Sequence, residues 1–427
     1  MLRQIKFYGF KCHKSLQINL KNVNILTGPN NSGKSTVIDA FRILSGATRT
    51  MESRRPSLLS LPGGSAIIGY EIPRSSIPID LRHVTHEYDD APAQIEFTLR
   101  NGNTLKIHLP NDSNPIVEVD SSLHGATVNA FKKAYPIGLT VVPNLGPFEQ
   151  NEPMLADKTV ADGVGTRLSH RHFRNYWYRA TPDRFSDFKA LLEETWPGIS
   201  LSPPEAVGYG EDRHVEMYFS EGRIDREISW SGIGLQIWMQ ILTYVHQAST
   251  GCFIIDEPDI YLHPDMQKSL VNLLREKFTQ CVLSTHSPEI IGDAGLDEVV
   301  SVVKGKNRVK RAHDIAGLQE ELVAVGSSEN IELTKLARAR RIVFFEGNDR
   351  KVLKAFGRRF GFERFVADDE TLFLKLGGFS KASRIESVSW TFSEILRSEV
   401  KLFGLFDRDY RSEEELGSGP IDFRMAA

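Results

Sequence analysis

No apolar run in the 427 residues approaches the length of a membrane-crossing helix, and the opening MLRQIKFYGF lacks the continuous apolar core of a signal peptide. Cysteine is scarce. Cys12, Cys252 and Cys281 are odd in number, widely spaced and outside any metal-ligand pattern, which excludes a disulfide framework and a thiolate metal centre. Two of the three fall in apolar runs and read as buried free thiols in a reducing compartment, so a cytoplasmic protein with no membrane partner is expected. There is no excess of positive charge. With 52 basic and 55 acidic residues the net charge is −3, so any nucleic-acid contact must come from local basic patches. Internal repeats and low-complexity tracts are also lacking. What remains is an ordinary globular composition, 41% hydrophobic and 25% charged, in a chain long enough for two or three domains.

Along the chain, Ile5, Phe7 and Phe10, then LQINL and VNILTG, predict two or three strands feeding a glycine-rich turn. Val37, Ile38, Phe41 and Leu44 follow at helical spacing. IEFTLRNGNTLKIHL predicts a hairpin turning at Asn101-Gly102. PIGLTVVPNLGPFEQNEP predicts a strand entering a Pro/Gly loop, residues 155–198 helices, and 205–229 a pair of strands. GCFIIDEP and QCVLSTHSP read as buried strands, joined by a helix over MQKSLVNLLREKF, and this alternation points to a parallel α/β sheet. The pattern restarts near residue 335, where the helix ELTKLARARR, the strand IVFFEG, the helix RKVLKAFGRRFG and the strand KLFGLFDRD predict a second, smaller α/β domain.

Gly28-x4-Gly33-Lys34-Ser35 is a complete phosphate-loop pattern in its strand-loop-helix setting. Glycines let successive backbone N–H groups curl around a phosphate, and the following helix adds its positive N-terminal end. Asn30, Asn31, Ser32, Gly33, Lys34, Ser35 and Thr36 are the candidate ATP-binding residues. Lys34 would neutralise the β- and γ-oxygens, and the Ser35 hydroxyl would hold Mg²⁺. FIIDEP supplies the distant carboxylates: Asp256 to orient the metal, and Glu257 as general base toward water. His286, ending LSTHS, is placed to hydrogen-bond the γ-phosphate.

Together these residues resemble the ATP-binding-cassette ATPases of SMC-like type, and more narrowly the OLD (overcoming lysogenization defect) family, whose opening motif is similar to F-x-G-F-K-C-H here. The resemblance implies an ABC/SMC-like P-loop ATPase domain over 1–334, with a mixed sheet and a helical insertion at about 155–200. A TOPRIM-like α/β domain would follow over 335–427. It further implies a signature motif contacting nucleotide across a dimer. WSGIGLQ takes that place with Ser231 and Gly232, although Ile233 stands where a second glycine is usual. In PNLGPFEQNE, Gln150 is the candidate Q-loop residue for Mg²⁺ and water, a plain connecting loop being the alternative. The insertion is too short for the coiled-coil arm of chromosome organisers, which favours the OLD-like branch.

TOPRIM resemblance assigns Glu346 as acid or base, and Asp407 and Asp409 as Mg²⁺ ligands for phosphodiester cleavage, since two clustered metals need carboxylates at strand ends. Two departures stand against it. Arg350 occupies the position of a second acid, with Asp349 one place early, and only eighteen residues follow Asp409. A truncated or degenerate domain is the expectation. RLSHRHFRNYWYRA interleaves Arg167, Arg171, Arg174 and Arg179 with Tyr176, Trp177 and Tyr178, which suits either nucleic-acid contact or a helix with buried aromatics and solvated arginines. KGKNRVKR reads as a basic hairpin, facing either a DNA backbone or solvent. The resemblance therefore implies an oligomeric ATPase (dimer or higher) that couples nucleotide state to nucleic-acid cleavage, plausibly in antiphage defence. The alternatives are a regulatory scaffold that answers a phage-encoded trigger and controls a separate effector protein, and an SMC-like DNA-repair ATPase.

Overall fold

The computed structural model describes the whole chain except residues 62–63, 89–90, 164–165, 167, 249–250, 296, 326–340, 346–349, 363–370, 376–400 and 406–427. The chain forms two compact units, Met1–Ser327 and Ser328–Ala427.

The first unit is built on strands β1 (Leu2–Phe10), β2 (His13–Asn19) and β3 (Val23–Thr27), and on helix α1 (Lys34–Met51). β1 and β2 pair antiparallel and continue into a seven-stranded antiparallel sheet. Its centre is the hairpin Ala93–Leu99/Thr104–Leu109, whose turn holds Gly102 at φ 92°. Every second side chain of Ala93–Leu99 is buried, as expected where one sheet face packs and the other is wetter. β3 instead joins a six-stranded sheet in the order Lys310–Arg311, Val299–Ser301, β3, Gln280–Ser284, Cys252–Asp256, Leu139–Val141. Only the first of these runs antiparallel. The runs CFIID and QCVLS are almost continuously apolar because both sheet faces are covered, a requirement of parallel sheets.

α1 is the layer between the two sheets. Phe41 meets Phe97 of the antiparallel sheet at 5.9 Å, and Val37, Ile38, Leu44 and Ala47 share one core with Ile254 and Val282 of the other sheet. That double burial explains the wide apolar face of α1, while Asp39, Arg42 and Arg49 stay on its wetter side. Cys252 and Cys281 are free and buried, and burial pushes both thiols up, Cys281 to about 12. No helix among the described residues is long and apolar enough to cross a membrane.

The helices expected over 155–198 form as Asp157–Gly163, Phe173–Tyr178 and Pro182–Thr195. The strand pair expected at 205–229 is instead four short strands in two sheets. The buried Met217 lies between Glu216 and Tyr218, where the chain passes from one sheet to the other. Of the aromatics of RLSHRHFRNYWYRA, Phe173 and Trp177 are core, Tyr176 is half-buried and Tyr178 exposed; Trp177 stacks on Phe188 at 4.0 Å and donates to Thr243 Oγ1. Its arginines, however, are not a solvated row. Arg174 is 1% exposed, pinned between Glu152 (3.4 Å) and Glu227 (2.7 Å). Arg179 binds Asp157 and the Leu155 carbonyl, and Arg171 pairs with Glu149 at the surface. Buried carboxylates, distant in sequence, claim the first of these cations before any nucleic acid can.

In the second unit, Arg341–Phe345 lies between Thr371–Lys375 and Lys401–Leu405, all parallel, with the helix Arg350–Arg359 following the central strand. Val343, Phe345, Phe373 and Leu353 form its core.

Arg174→Met should destabilise the chain by about 3–5 kcal/mol in urea unfolding, because it strands the fully buried Glu152 carboxylate. A second expectation concerns pH. Burial holds His13, His172 and His246 below their ordinary value of 6.5. The unfolded chain therefore takes up protons near that pH that the folded chain refuses, and stability falls as pH drops through it. His214, raised by hydrogen bonds to the Asp212 carbonyl and Glu216, opposes this weakly because it is exposed. Thermal unfolding between about pH 7.5 and 5.5 should show a falling midpoint, and a flat profile would contradict the assignment.

Candidate nucleotide site

Three parallel strands end at one level: Leu26 of β3 opposite Ser284, and Ser284 opposite Asp256. This register brings the glycine loop, the LSTHS segment and the acidic pair to one edge, although the loop is more than two hundred residues from the other two in sequence. It is also the carboxyl end of a parallel sheet, where α/β folds place their ligands.

The loop conformation needs its glycines. Gly28 and Gly33 have φ of 141° and 104°, and Asn31 of 63°. A Cβ on Gly33 would lie 2.3 Å from His13 Nε2 and 2.7 Å from Cys12 Sγ, so the β1–β2 turn presses directly on the loop. His13 is buried and faces the Gly33 carbonyl at 3.4 Å, and burial is the main cause that lowers its pKa. Cys12 Sγ meets Thr36 Oγ1 at 3.3 Å, which commits the Thr36 hydroxyl away from the loop mouth. Asn30, Asn31 and Ser35 are exposed at that mouth.

Lys34 is 4% exposed, and its ammonium donates to the Gly28 and Pro29 carbonyls at 3.0 and 3.4 Å. It also lies 2.6 Å from His286 Nε2. Glu257 Oε1 is 3.6 Å from the same nitrogen. One lone pair cannot accept from Lys34 while that nitrogen donates to Glu257, and the shorter distance makes Lys34 the closer partner of His286 Nε2. Burial lowers the Lys34 pKa, offset in part by Glu257, Asp256 and Asp259, none of which touches it among the described residues. A buried ammonium satisfied by loop carbonyls, beside the orphaned and buried Ser32 hydroxyl, is the donor set an incoming phosphate would complete. Exposed Ser35 and strand-end Asp256 are hard oxygen ligands suited to Mg²⁺. The residues fit a Mg²⁺–nucleotide.

Ser284 organises the acidic pair. Its hydroxyl donates to Asp256 Oδ1 and accepts from the Glu257 N–H at 3.1 Å. Glu257 sits at φ 45°, a left-handed conformation costing a non-glycine residue roughly 1–2 kcal/mol. Its N–H also donates to the Ser284 carbonyl at 3.1 Å, which holds this strained backbone at the mouth of the site. Asp256 Oδ2 faces Arg42 Nη2 of α1 at 3.3 Å, and Arg42 also binds Asp39 at 2.7 Å and Asn144 at 3.0 Å.

Arg42, Ser284 and Asn144 escape the sequence reading. Asn144 follows the strand beside Asp256 and reaches the cluster, whereas Gln150 lies exposed six residues further on with no contact to it among the described residues. The LSTHS segment signalled Ser284. Nothing local signals Arg42, whose partner Asp256 is 214 residues away.

Ser231 and Gly232 precede the helix Ile233–Gln247, with Gly232 as its N-cap and open space around its Cα. The Ser231 hydroxyl turns inward to the Ile228 carbonyl at 2.7 Å. Trp230, Ile260 and Tyr261 stand exposed, and the Tyr261 carbonyl lies close against Gly234 of the same helix. In the second unit, Phe345 and Leu405 end adjacent strands level with one another, while Glu346, Asp407 and Asp409 lie outside the described residues.

A family model described as AAA domain, putative AbiEii toxin, Type IV TA system matches residues 23–292. Endonuclease GajA of Bacillus cereus (strain VD045) is 30% identical over 129 residues, 30% of this chain and 21% of that protein, so the match spans about a fifth of that relative's length. Among solved structures, the SmcHead bound to the C-winged helix domain of ScpA shares 14% identity, with 73% of this chain and 97% of that chain covered at a TM-score of 0.45. The SMC head domain from Thermotoga maritima shares 15%, with 73% and 99% covered at 0.39.

Gly33→Ala should abolish retention of ATP, because its methyl must displace His13 while the backbone stays at φ 104°. Equilibrium binding of a fluorescent ATP analogue checks this, and wild-type affinity in the variant would refute the packing described.

Proposed function

The chain belongs to the family of AAA domains described as putative AbiEii toxin of type IV toxin–antitoxin systems, and from that premise we propose an ATP-driven switch that governs nucleic-acid cleavage. It is an ATPase. The observation that carries the finer reading is the convergence of Lys34, His286, Asp256 and Glu257 on one strand-end edge.

In this reading the ATP triphosphate enters the loop and takes the Lys34 ammonium from the Gly28 and Pro29 carbonyls. The N–H groups of residues 30–36 and the N-terminus of α1 receive the remaining charge. Mg²⁺, held by Ser35 and by Asp256 through its water shell, would neutralise charge on the bridging oxygens. Glu257 takes a proton from the attacking water. His286 contacts the γ-phosphate and keeps Lys34 oriented. The exposed face around Trp230, Ser231, Gly232 and Tyr261 supports closure of two copies over the nucleotide, with Ser231 and Gly232 contributing across the dimer.

Residues 335–427 then form a TOPRIM-like domain, with Glu346 as acid or base and Asp407 and Asp409 as Mg²⁺ ligands. The level ends of the two strands preceding Glu346 and Asp407 support this, and the partial similarity to Endonuclease GajA supports nucleic-acid cleavage as the coupled activity. DNA is the proposed substrate, and antiphage defence the proposed setting. Arg350, in place of an acid, favours a second reading in which this domain is inactive and the ATPase controls a separate effector.

Lys34→Ala should abolish ATP hydrolysis, and Glu257→Gln should slow it by about 10²–10⁴-fold while ATP stays bound. Metal-dependent plasmid cleavage lost in both Glu346→Ala and Asp407→Ala supports the nuclease. Cleavage that survives both substitutions overturns it, and absence of cleavage by wild type selects the second reading.

A further inference from the structure

Between the metal carboxylate and the outer face of α1 runs a line of alternating charge. Lys11 Nζ from the β1–β2 turn meets Asp39 Oδ2, and Asp39 Oδ1 meets Arg42 Nη1 at 2.7 Å. Arg42 Nη2 then divides itself between Asn144 Oδ1 at 3.0 Å and Asp256 Oδ2 at 3.3 Å. The other Asp256 oxygen is taken by Ser284. The two ends of the Arg42–Asp256 pair are each 14% exposed, screened enough from solvent for the charges to matter to each other.

Two features distinguish this from a plain brace. The Arg42–Asp256 contact is the longest that the guanidinium makes, and it is shared with a neutral amide on the same nitrogen. Arg42 also lines, with Lys11, Asp39 and Asn144, a cavity of about 710 Å³ on the side of α1. The guanidinium therefore has both another carboxylate to hold and room to move.

We propose that Arg42 is a positioning residue that competes with Mg²⁺ for Asp256. Without nucleotide it neutralises the carboxylate. When the metal arrives Arg42 gives up Asp256 and stays on Asp39, so Asp39 sets how readily the exchange occurs. No bond to carbon or phosphorus changes in this step, only which cation faces one carboxylate. The inference rests on the proposed assignment of Asp256 to the metal.

Competition predicts opposite effects from two neighbouring substitutions. Arg42→Gln removes the rival cation, so the metal should bind roughly three- to tenfold tighter. Asp39→Asn removes the alternative partner and leaves Arg42 on Asp256, so the metal should bind weaker by a similar factor. Arg42→Lys, which keeps the charge, should stay near wild type. The measurement is Mn²⁺ affinity, read from the electron paramagnetic resonance of the free ion in the presence of the full chain and a non-hydrolysable ATP analogue. Thermal unfolding checks that each variant folds, and Asp39→Asn alone still tests the sign if Arg42→Gln does not fold. Equal or weaker Mn²⁺ binding by Arg42→Gln makes Arg42 a brace and overturns the inference, as does unchanged or tighter binding by Asp39→Asn. A wild-type chain that takes up no Mn²⁺ with the analogue overturns the nucleotide reading as well. Unaltered variants beside a competent wild type overturn the Arg42 inference alone.

Discussion

The buried ammonium of Lys34 constrains everything around it. A cation that is 4% exposed must be satisfied by fixed groups, and here these are two loop carbonyls and the His286 imidazole. The carbonyls are positioned only because Gly28 and Gly33 adopt conformations closed to other residues. The imidazole is positioned only because its strand lies between β3 and the carboxylate strand. Asp256, Asp259 and Glu257 lie near enough to moderate the Lys34 charge without contacting it. That is a preorganised field for a polyanion. Backbone strain at Glu257 and desolvation at Lys34 are concentrated at this one strand-end edge.

What was legible in the sequence followed the locality of the interaction. The phosphate loop could be read because its glycines, lysine and serine act within one turn of backbone. The acidic pair and His286 could be read because each ends a short apolar run, and a parallel sheet aligns such ends. The seven-stranded antiparallel sheet was largely hidden. Its pairings join residue 5 to residue 97 and residue 70 to residue 117, and no periodicity encodes a partner. The same reason hides Arg42, one of several polar positions on the wetter side of an amphipathic helix, with nothing local to mark its distant partner.

The arginine-aromatic segment shows how composition misleads when partners are distant. Arg174 looks like a nucleic-acid contact beside Tyr176 and Trp177, yet Glu152 and Glu227 close around it. Two carboxylates, twenty-two residues before and fifty-three after, turn a basic patch into a buried ion network. The hairpin carrying KGKNRVKR divides in a similar way. Arg311 is occupied by Asn24 and the Asn19 and Asp297 carbonyls, while Lys304, Lys306 and Arg308 stay exposed.

The signature segment completes the logic of the site. Ser231 spends its hydroxyl on the Ile228 carbonyl, so within one copy it offers no side-chain oxygen outward. What the segment does offer is an open helix N-terminus at Gly232, flanked by exposed Trp230 and by the loop that follows Glu257. A helix N-terminus attracts anions, and exposed aromatic surface favours burial against another protein face. Both features support the proposed closure of two copies, in which this segment would face a nucleotide presented by the second copy.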